Sequence, residues 1–439
     1  MAARRGNSML EVAESTCEGP GEVKLRGTKP IVLGLVRYYV PGFKAGGPIR
    51  TLKAMVEHLS GAYQFKILAL DRDLGETSPF LSIRKNEWNQ VGLAQVRYFT
   101  PGLMLPFSLI KMLRQTEFDI LYFNSFLDPV FTLALLAAQR LGLIPGKPVI
   151  VAPRGELSPG ALAQKRLKKL AFLKVAACLG LYRNAILHAS TDLEKSEIER
   201  TLGRHLGNST AAANGRAGKY QIRVARDMAS AAVPASNSKQ SKLPGRLKAV
   251  FISRISPKKN LAVVIEMLSQ VRGDVSLDIY GPIDDSSYWK TCQRVIAQRC
   301  GLLRVEYQGA LGYEQVQNAL AGCDAFVFPT LGENFGHVIL ESLLAGCPVV
   351  ISDQTPWREL AAKKAGWDLP LREPGRFIEV LQALANMGEE AHRSWREGAK
   401  ALGLATLKDD RVLGDNLKLF ADLLGGSSRT PRNSVLATT

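Results

Sequence analysis

The chain has 439 residues, 46% of them hydrophobic and 22% charged, with a formal net charge of +17. That size and apolar content exclude a disordered chain and allow two domains with separate cores. No uninterrupted apolar run reaches spanning length and the first thirty residues lack the apolar stretch of a secretory signal, so neither an integral membrane protein nor an exported one is expected.

The excess positive charge favours anionic partners in general: nucleic acid, acidic lipid headgroups or phosphorylated small molecules. Charge alone does not choose among them. Six cysteines, Cys17, Cys178, Cys292, Cys300, Cys323 and Cys347, show no CxxC pair or metal-ligand spacing. They read as reduced, small apolar residues of a cytoplasmic protein.

Residues 1–28, rich in Gly, Glu, Arg and Ser, read as a tail. From residue 29, short runs rich in β-branched residues alternate with helix-length amphipathic segments: "IVLGLVRYY", "FKILALD", "AQVRYFT", "DILYFNSF", "PVIVAPRG" and "AILHAS" up to about residue 208, then "KAVFIS", "LDIYG", "VEYQGA", "AFVFPT" and "PVVISD" from 247 to about 410. Apolar strands separated by helices are the pattern of parallel βαβ units buried on both faces. It occurs twice, so the expected class is α/β with two Rossmann-like, doubly wound parallel sheets facing across a cleft. Between them, residues 209–246 mix Ala, Ser, Asn, Gly and Lys with little periodicity and read as a linker. Residues 411–426 read as one amphipathic helix and 427–439 as a polar tail.

Ligands of such sheets bind beyond the carboxyl ends of the strands, so the chemistry is expected in strand-to-helix loops. In the first half, "VPGFKAGGPIRTL" places Gly46 and Gly47 before a helix start, which suits either a close ligand approach or a tight connection. Between Leu157 and Thr191 there is no acidic residue, while Lys165, Lys168 and Lys169 share one face of a predicted helix and Leu162, Leu167, Leu170 and Leu173 gather mostly on another. That is the solvated face of a core helix or a surface resting on acidic lipid.

In the second half, "SRISPKKN" sets Arg254 and Lys259 at a strand end, cations that suit a diphosphate. "GENFGHVILE" places Glu333 just before a helix and Glu341 in it, eight positions on. The free backbone N–H groups of Gly336, His337 and Val338 at that helix start suit a phosphate. The two carboxylates suit hydroxyls at either end of the ligand.

"SRISPKKN", "GENFGHVILESLLAGCPVV" and the double-glycine turn resemble the family 4 retaining glycosyltransferases of the GT-B class, with their E-x7-E signature. The resemblance covers nearly all the chain outside the tails and linker. It implies that Arg254 and Lys259 bind the donor diphosphate, that Glu333 contacts the transferred sugar and Glu341 the ribose, and that Asn334, Phe335, Gly336, His337 and Val338 cradle sugar hydroxyls and phosphate. It also implies that Gly46 and Gly47 lie beside the reacting centre, that the first domain binds the acceptor, and that the last helix crosses back to it. "APRGELSPGALAQKRLKK" and "HASTDLEKSEI" resemble the branch acting on cell-surface polysaccharides, and Arg154 is a candidate for an acceptor phosphate.

Two departures stand out. Where many relatives have a histidine, this chain has Asn124 and Ser125, which keep a polar contact to sugar or acceptor but not a histidine-based role. Of the usual Pro-Asn-Gly turn after the crossover, only Asn214 and Gly215 remain. "DRD", Asp71 to Asp73, resembles the metal-binding DxD of the other glycosyltransferase class but lies in the wrong domain, so no metal is expected. The expected activity is sugar transfer with retention from a nucleotide diphosphate sugar to a lipid-linked or polysaccharide acceptor, in the cytoplasm or at the inner face of an anionic membrane. The alternatives are a nucleotide-sugar epimerase or phosphorylase of similar build, and a basic nucleic-acid-binding protein, for which aromatic stacking runs and a recognition motif are missing.

Overall fold

A computed structural model describes residues 28–163, 166–205, 220–230, 241–299 and 303–425. In the first domain the chain runs through β1 (Ile31–Leu35), α1 (Gly47–Leu59), β2 (Gln64–Leu70), β3 (Trp88–Val91), β4 (Ala94–Phe99), α2 (Leu105–Gln115) and β5 (Ile120–Phe123). It continues through α3 (Ala134–Arg140), β6 (Val149–Val151), α4 (Pro159–Ala163), α5 (Arg166–Cys178), β7 (Ile186–Ala189), α6 (Asp192–His205) and β8 (Gln221–Val224). The second domain holds β9 (Arg246–Ile252), α7 (Leu261–Leu268), β10 (Asp274–Tyr280), α8 (Ser286–Gln298), β11 (Leu303–Tyr307), α9 (Tyr313–Ala321) and β12 (Ala325–Phe328). After these come α10 (His337–Leu344), β13 (Val349–Ser352), β14 (Gly366–Leu369), α11 (Pro374–Asn386), α12 (Glu389–Leu407) and α13 (Asp410–Leu424).

The first sheet has the order β3-β4-β2-β1-β5-β6-β7-β8, parallel except for β3, and the second β11-β10-β9-β12-β13-β14, parallel throughout. Central strands such as β5, β12 and β13 are buried along their whole length, which is why they read as continuous apolar runs. In each sheet the order reverses beside one strand, β1 in the first and β9 in the second. These are the switch points at which doubly wound sheets leave a crevice. The loops after β1, β9 and β12 open there.

Two features differ from the sequence expectation. The stretch read as a linker contributes β8, paired parallel to β7, and the residues after it reach the first core through Ala225 and Met228. Its polar composition hid a strand that has only one neighbour. The basic segment is two helices, α4 and α5, and Lys165 lies outside the described residues, as do Asn214 and Gly215. On α5, Leu173 is buried but Leu167 is exposed beside exposed Lys168, while Lys169 donates from its Nζ to the Ala161 carbonyl. The predicted apolar face is thus narrower and the basic face smaller than the spacing implied. The last helix, α13, packs on the first domain: Leu419 and Phe420 enter its core, with the Phe420 ring centroid 5.3 Å from that of Tyr63 and 5.8 Å from that of Tyr122.

Candidate active site

The cleft between the sheets holds a cavity of about 310 Å³ lined from both domains. On the second-domain side, β9 ends at Ile252 and the chain turns through a 3-10 segment to Asn260, a left-handed residue (φ 62°) whose Nδ2 donates to the Pro329 carbonyl at 3.0 Å. This turn carries Arg254, Lys258 and Lys259 to the cavity wall. Arg254 Nη1 lies 3.0 Å from Asp284 Oδ2. Lys259 is buried, its Nζ donating to Glu333 Oε2 and lying 5.2 Å from the Phe328 ring centroid.

Glu333 is placed by its own N–H, which donates to the Gln354 carbonyl at 2.9 Å. Burial alone would raise its pKa; Lys259, Lys258 and Arg254 overcome that and hold the carboxyl below the usual range. Gly336 caps α10 with φ 81°, a conformation that suits glycine, and a Cβ there would fall 2.7 Å from Ile339 Cδ1 and 3.2 Å from Glu333 Cγ. The first N–H groups of α10 have no intrahelical partner. Asn334, Phe335, Gly336, His337 and Val338 all line the cavity with Arg254, Lys259 and Glu333, and opposite them sit Gly46 and Gly47.

Glu341 is placed differently. It does not line this cavity but an adjoining one of about 530 Å³, together with Arg50, Lys53 and Glu314. Arg50, on α1 of the first domain, sets Nη1 2.5 Å from both Glu341 oxygens. One residue on, Thr51 Oγ1 lies 2.7 Å from His337 Nε2 and donates to Asp227 Oδ2 at 3.2 Å. Because that hydroxyl hydrogen goes to the carboxylate, the imidazole must be the donor to Thr51, which fixes the Nε2–H tautomer. Burial, then Arg50 and Arg154, push the His337 pKa down to about 3.

The three residues expected on the acceptor side are turned inward, a correction to the sequence reading. Arg154 reaches the cavity wall, but its guanidinium is buried and bonded to Asp227, to Asn124 Oδ1 at 2.9 Å and to the Tyr122 hydroxyl at 2.5 Å. Asn124 donates to the Pro48 carbonyl at 3.1 Å, and Ser125 Oγ donates to Glu156 Oε1 at 2.7 Å. A buried cation needs partners, and Asp227, supplied by the segment after β8, takes that role. Asp71 and Asp73 are likewise committed. Asp71 accepts from Thr100 Oγ1 at 2.7 Å, and Asp73 from the N–H groups of Phe43 (2.8 Å) and Lys44 (3.1 Å), so that the DRD segment braces the glycine-rich turn. No cluster of three or more His, Cys, Asp or Glu placed for a metal ion occurs among the described residues.

Sequence reasoning missed Arg50, Thr51, Lys258 and Glu197. All four stand within stretches quoted above, Arg50 and Thr51 in "VPGFKAGGPIRTL", Glu197 in "HASTDLEKSEI" and Lys258 in "SRISPKKN", but nothing local marks their distant partners. Burial and then the Lys259 charge lower the Lys258 pKa, while Glu333 and Glu197 of α6 oppose them. For Glu197, burial and Glu194 push the pKa up to about 7.

Among solved structures, HepE of Anabaena, solved with UDP and glucose, superposes with a TM-score of 0.61 over 90% of this chain and 99% of that one at 17% identity. Sucrose-phosphate synthase of Thermosynechococcus elongatus gives 0.63 over 91% and 100% at 14% identity, and WaaG, a glycosyltransferase involved in lipopolysaccharide biosynthesis, gives 0.58 over 90% and 100% at 13% identity. The fold is GT-B. In this GT-B chain, residues 234–401 match the family described as Glycosyl transferases group 1. The O-antigen chain mannosyltransferase B of Escherichia coli is 30% identical over 166 residues, 36% of this chain and 41% of that relative. The phosphatidyl-myo-inositol mannosyltransferase of Mycobacterium leprae (strain TN) is 28% identical over 160 residues, 35% of this chain and 41% of that relative. The chain thus spans about two fifths of the length of the curated relatives it matches, and the stretch 234–401 that matches the family includes Arg254, Lys258, Lys259, Glu333 and Glu341.

Proposed function

We propose that this GT-B protein transfers a sugar, with retention of anomeric configuration, from a nucleotide diphosphate sugar to a hydroxyl of a lipid-linked or polysaccharide acceptor in cell-surface glycan biosynthesis. One observation carries the reading: Arg254, Lys258, Lys259 and the N-terminus of α10 meet on a single cavity that the Gly46–Gly47 turn closes. Cations and an unpaired helix start on one wall suit a diphosphate. The group 1 match and the mannosyltransferase and lipopolysaccharide relatives support the reaction class, and the UDP solved with HepE supports the donor class.

In this reading Arg254 and Lys259 hold the donor phosphates with Lys258 beside them, and the three cations supply the charge a metal ion would, so turnover needs none. An ammonium has three donors, enough for Lys259 to keep Glu333 and take a phosphate oxygen. Glu333 accepts from hydroxyls of the transferred sugar. The bond from the anomeric carbon to the phosphate oxygen breaks, the acceptor oxygen bonds to that carbon from the same face, and the acceptor proton passes to the departing phosphate. Preorganised charge around that phosphate is the largest contribution to rate.

The acceptor's lipid end rests on the first domain. Leu103 (95% exposed) and Met104 (67%) just before α2, Phe107 (65%) in its first turn, and Leu167 (83%) with Lys168 at the start of α5 belong to two helices and their approach that share one core cluster and so cover the same sheet face. Exposed apolar side chains beside a lysine suit an anionic bilayer surface at the cytoplasmic face. No helix among the described residues is long and apolar enough to cross a membrane.

The test is product analysis with UDP- and GDP-sugars, with and without a glycan acceptor. Acceptor-dependent release of nucleoside diphosphate and a product of unchanged anomeric configuration are expected. Donor isomerisation without release, or release that needs phosphate instead of a glycan, would overturn transfer in favour of an epimerase or a phosphorylase.

A further inference from the structure

Arg50 and Glu341 are 291 positions apart in the chain, yet they form an ion pair across the cleft, Nη1 lying 2.5 Å from each carboxylate oxygen. The Glu341 side chain is 9% exposed and that of Arg50 is 25% exposed. Beside this contact, Thr51 and His337 form a second one at 2.7 Å. Neighbouring residues of α1 therefore grip α10 at positions 337 and 341, four apart and so stacked on one face of the helix. Burial pushes the Glu341 pKa up, and Arg50 opposes it through its charge and its hydrogen bonds. A carboxylate accepts about four hydrogen bonds, of which Arg50 takes two. Glu341 also lines the adjoining cavity, where hydroxyls of a ligand can take the rest.

We propose that Arg50 is a positioning residue of the donor site: it fixes the Glu341 carboxylate in place and aims its remaining lone pairs at the paired hydroxyls of the donor's ribose. The proposal rests on the donor reading above and deepens it. With the cleft open, Glu341 has no Arg50. The grip on the ribose is therefore complete only when both domains contribute, and nucleoside binding and closure draw on the same contact.

The experiment is isothermal titration calorimetry of the intact chain with UDP, GDP and their 2′-deoxy counterparts. The wild type is expected to prefer the ribonucleotide of its cognate base by about tenfold or more, the loss of a hydrogen bond to a charged group. Arg50→Met is expected to bind the ribonucleotide more weakly and to lose that preference, while Arg50→Lys retains part of it. If Arg50→Met weakens ribo- and deoxynucleotide by the same factor, Arg50 only holds the domains together and the proposal is overturned. Should Arg50→Met not fold, Arg50→Gln takes its place with the same two outcomes. A wild type that ignores the 2′-hydroxyl while Glu341→Gln binds normally, or that binds neither diphosphate, overturns the donor reading itself and the proposal with it.

Discussion

Lys259 answers to two anions, the Glu333 carboxylate that it holds in this structure and the phosphate that the proposed reaction brings to it. Replacing it by alanine removes a donor to the leaving group and also leaves Glu333, buried, with only Lys258 and Arg254 against desolvation, so its pKa rises. Both changes act in one direction. Lys259→Ala is expected to lower turnover by roughly two orders of magnitude or more, as removal of one charge-stabilising donor does. Steady-state kinetics on a variant with an unaltered melting curve measures it, and near-normal turnover would remove Lys259 from the mechanism. The same reasoning on an unreactive pair gives a stability prediction. Arg154 and Asp227 have side chains only 5% and 3% exposed. Asp227→Ala removes the ion-pair partner of a buried guanidinium and is expected to cost about 3–5 kcal/mol in urea unfolding. A double replacement by Arg154→Met and Asp227→Leu should recover much of that. If the single variant is as stable as the wild type, water or another acceptor already satisfies Arg154.

At the level of elements, the strand–turn–helix from β12 to α10 concentrates the site. Its shape depends on Gly336, because a side chain at φ 81° is strained and its Cβ would press on Ile339 and Glu333. Gly336→Ala is expected to cost about 1–2 kcal/mol of stability and, by moving Glu333, to weaken nucleotide-sugar binding in calorimetry. Unchanged affinity in that variant would mean the turn does not shape the pocket. This element was legible in the sequence because its strand, turn and helix start are contiguous, so periodicity and spacing report the geometry directly. Strands buried on both faces were legible for the same kind of reason: β5, β12 and β13 are unbroken apolar runs. β3, β8 and β14 were not. Each is a sheet-edge strand with a single neighbour, and that pairing rather than its own composition makes it a strand. Side-chain partnerships such as Arg50 with Glu341, or Arg154 with Asp227, depend on how distant segments pack, and no local pattern announces them. Arg154 and Ser125 could therefore be read as facing a ligand when their partners, Asp227 and Glu156, lie within the first domain.

Across the whole molecule, the two domains meet where α1 touches α10, and His337 makes that contact sensitive to pH. Its pKa is about 3 in the closed structure against 6.5 for a free imidazole. Between those values the unfolded or opened chain binds a proton that the closed one does not, so the contribution of neutral His337 is intact above about 6.5 and is lost as the pH falls. The loss is up to about 1.4 kcal/mol for each pH unit below that point. Other groups titrate nearby, among them Glu197 and the buried His188, whose pKa is also lowered to about 3. The isolating measurement is therefore a difference between wild type and His337→Gln, in which those groups cancel. Glutamine keeps an N–H for Thr51 and has no proton to gain. The difference in unfolding free energy is expected to be level from pH 7 to 8 and to shift against the wild type by about 2 kcal/mol at pH 5. A difference that stays level down to pH 5 would show that His337 titrates normally in the folded protein, and that the α1–α10 contact opens freely enough to let water reach it.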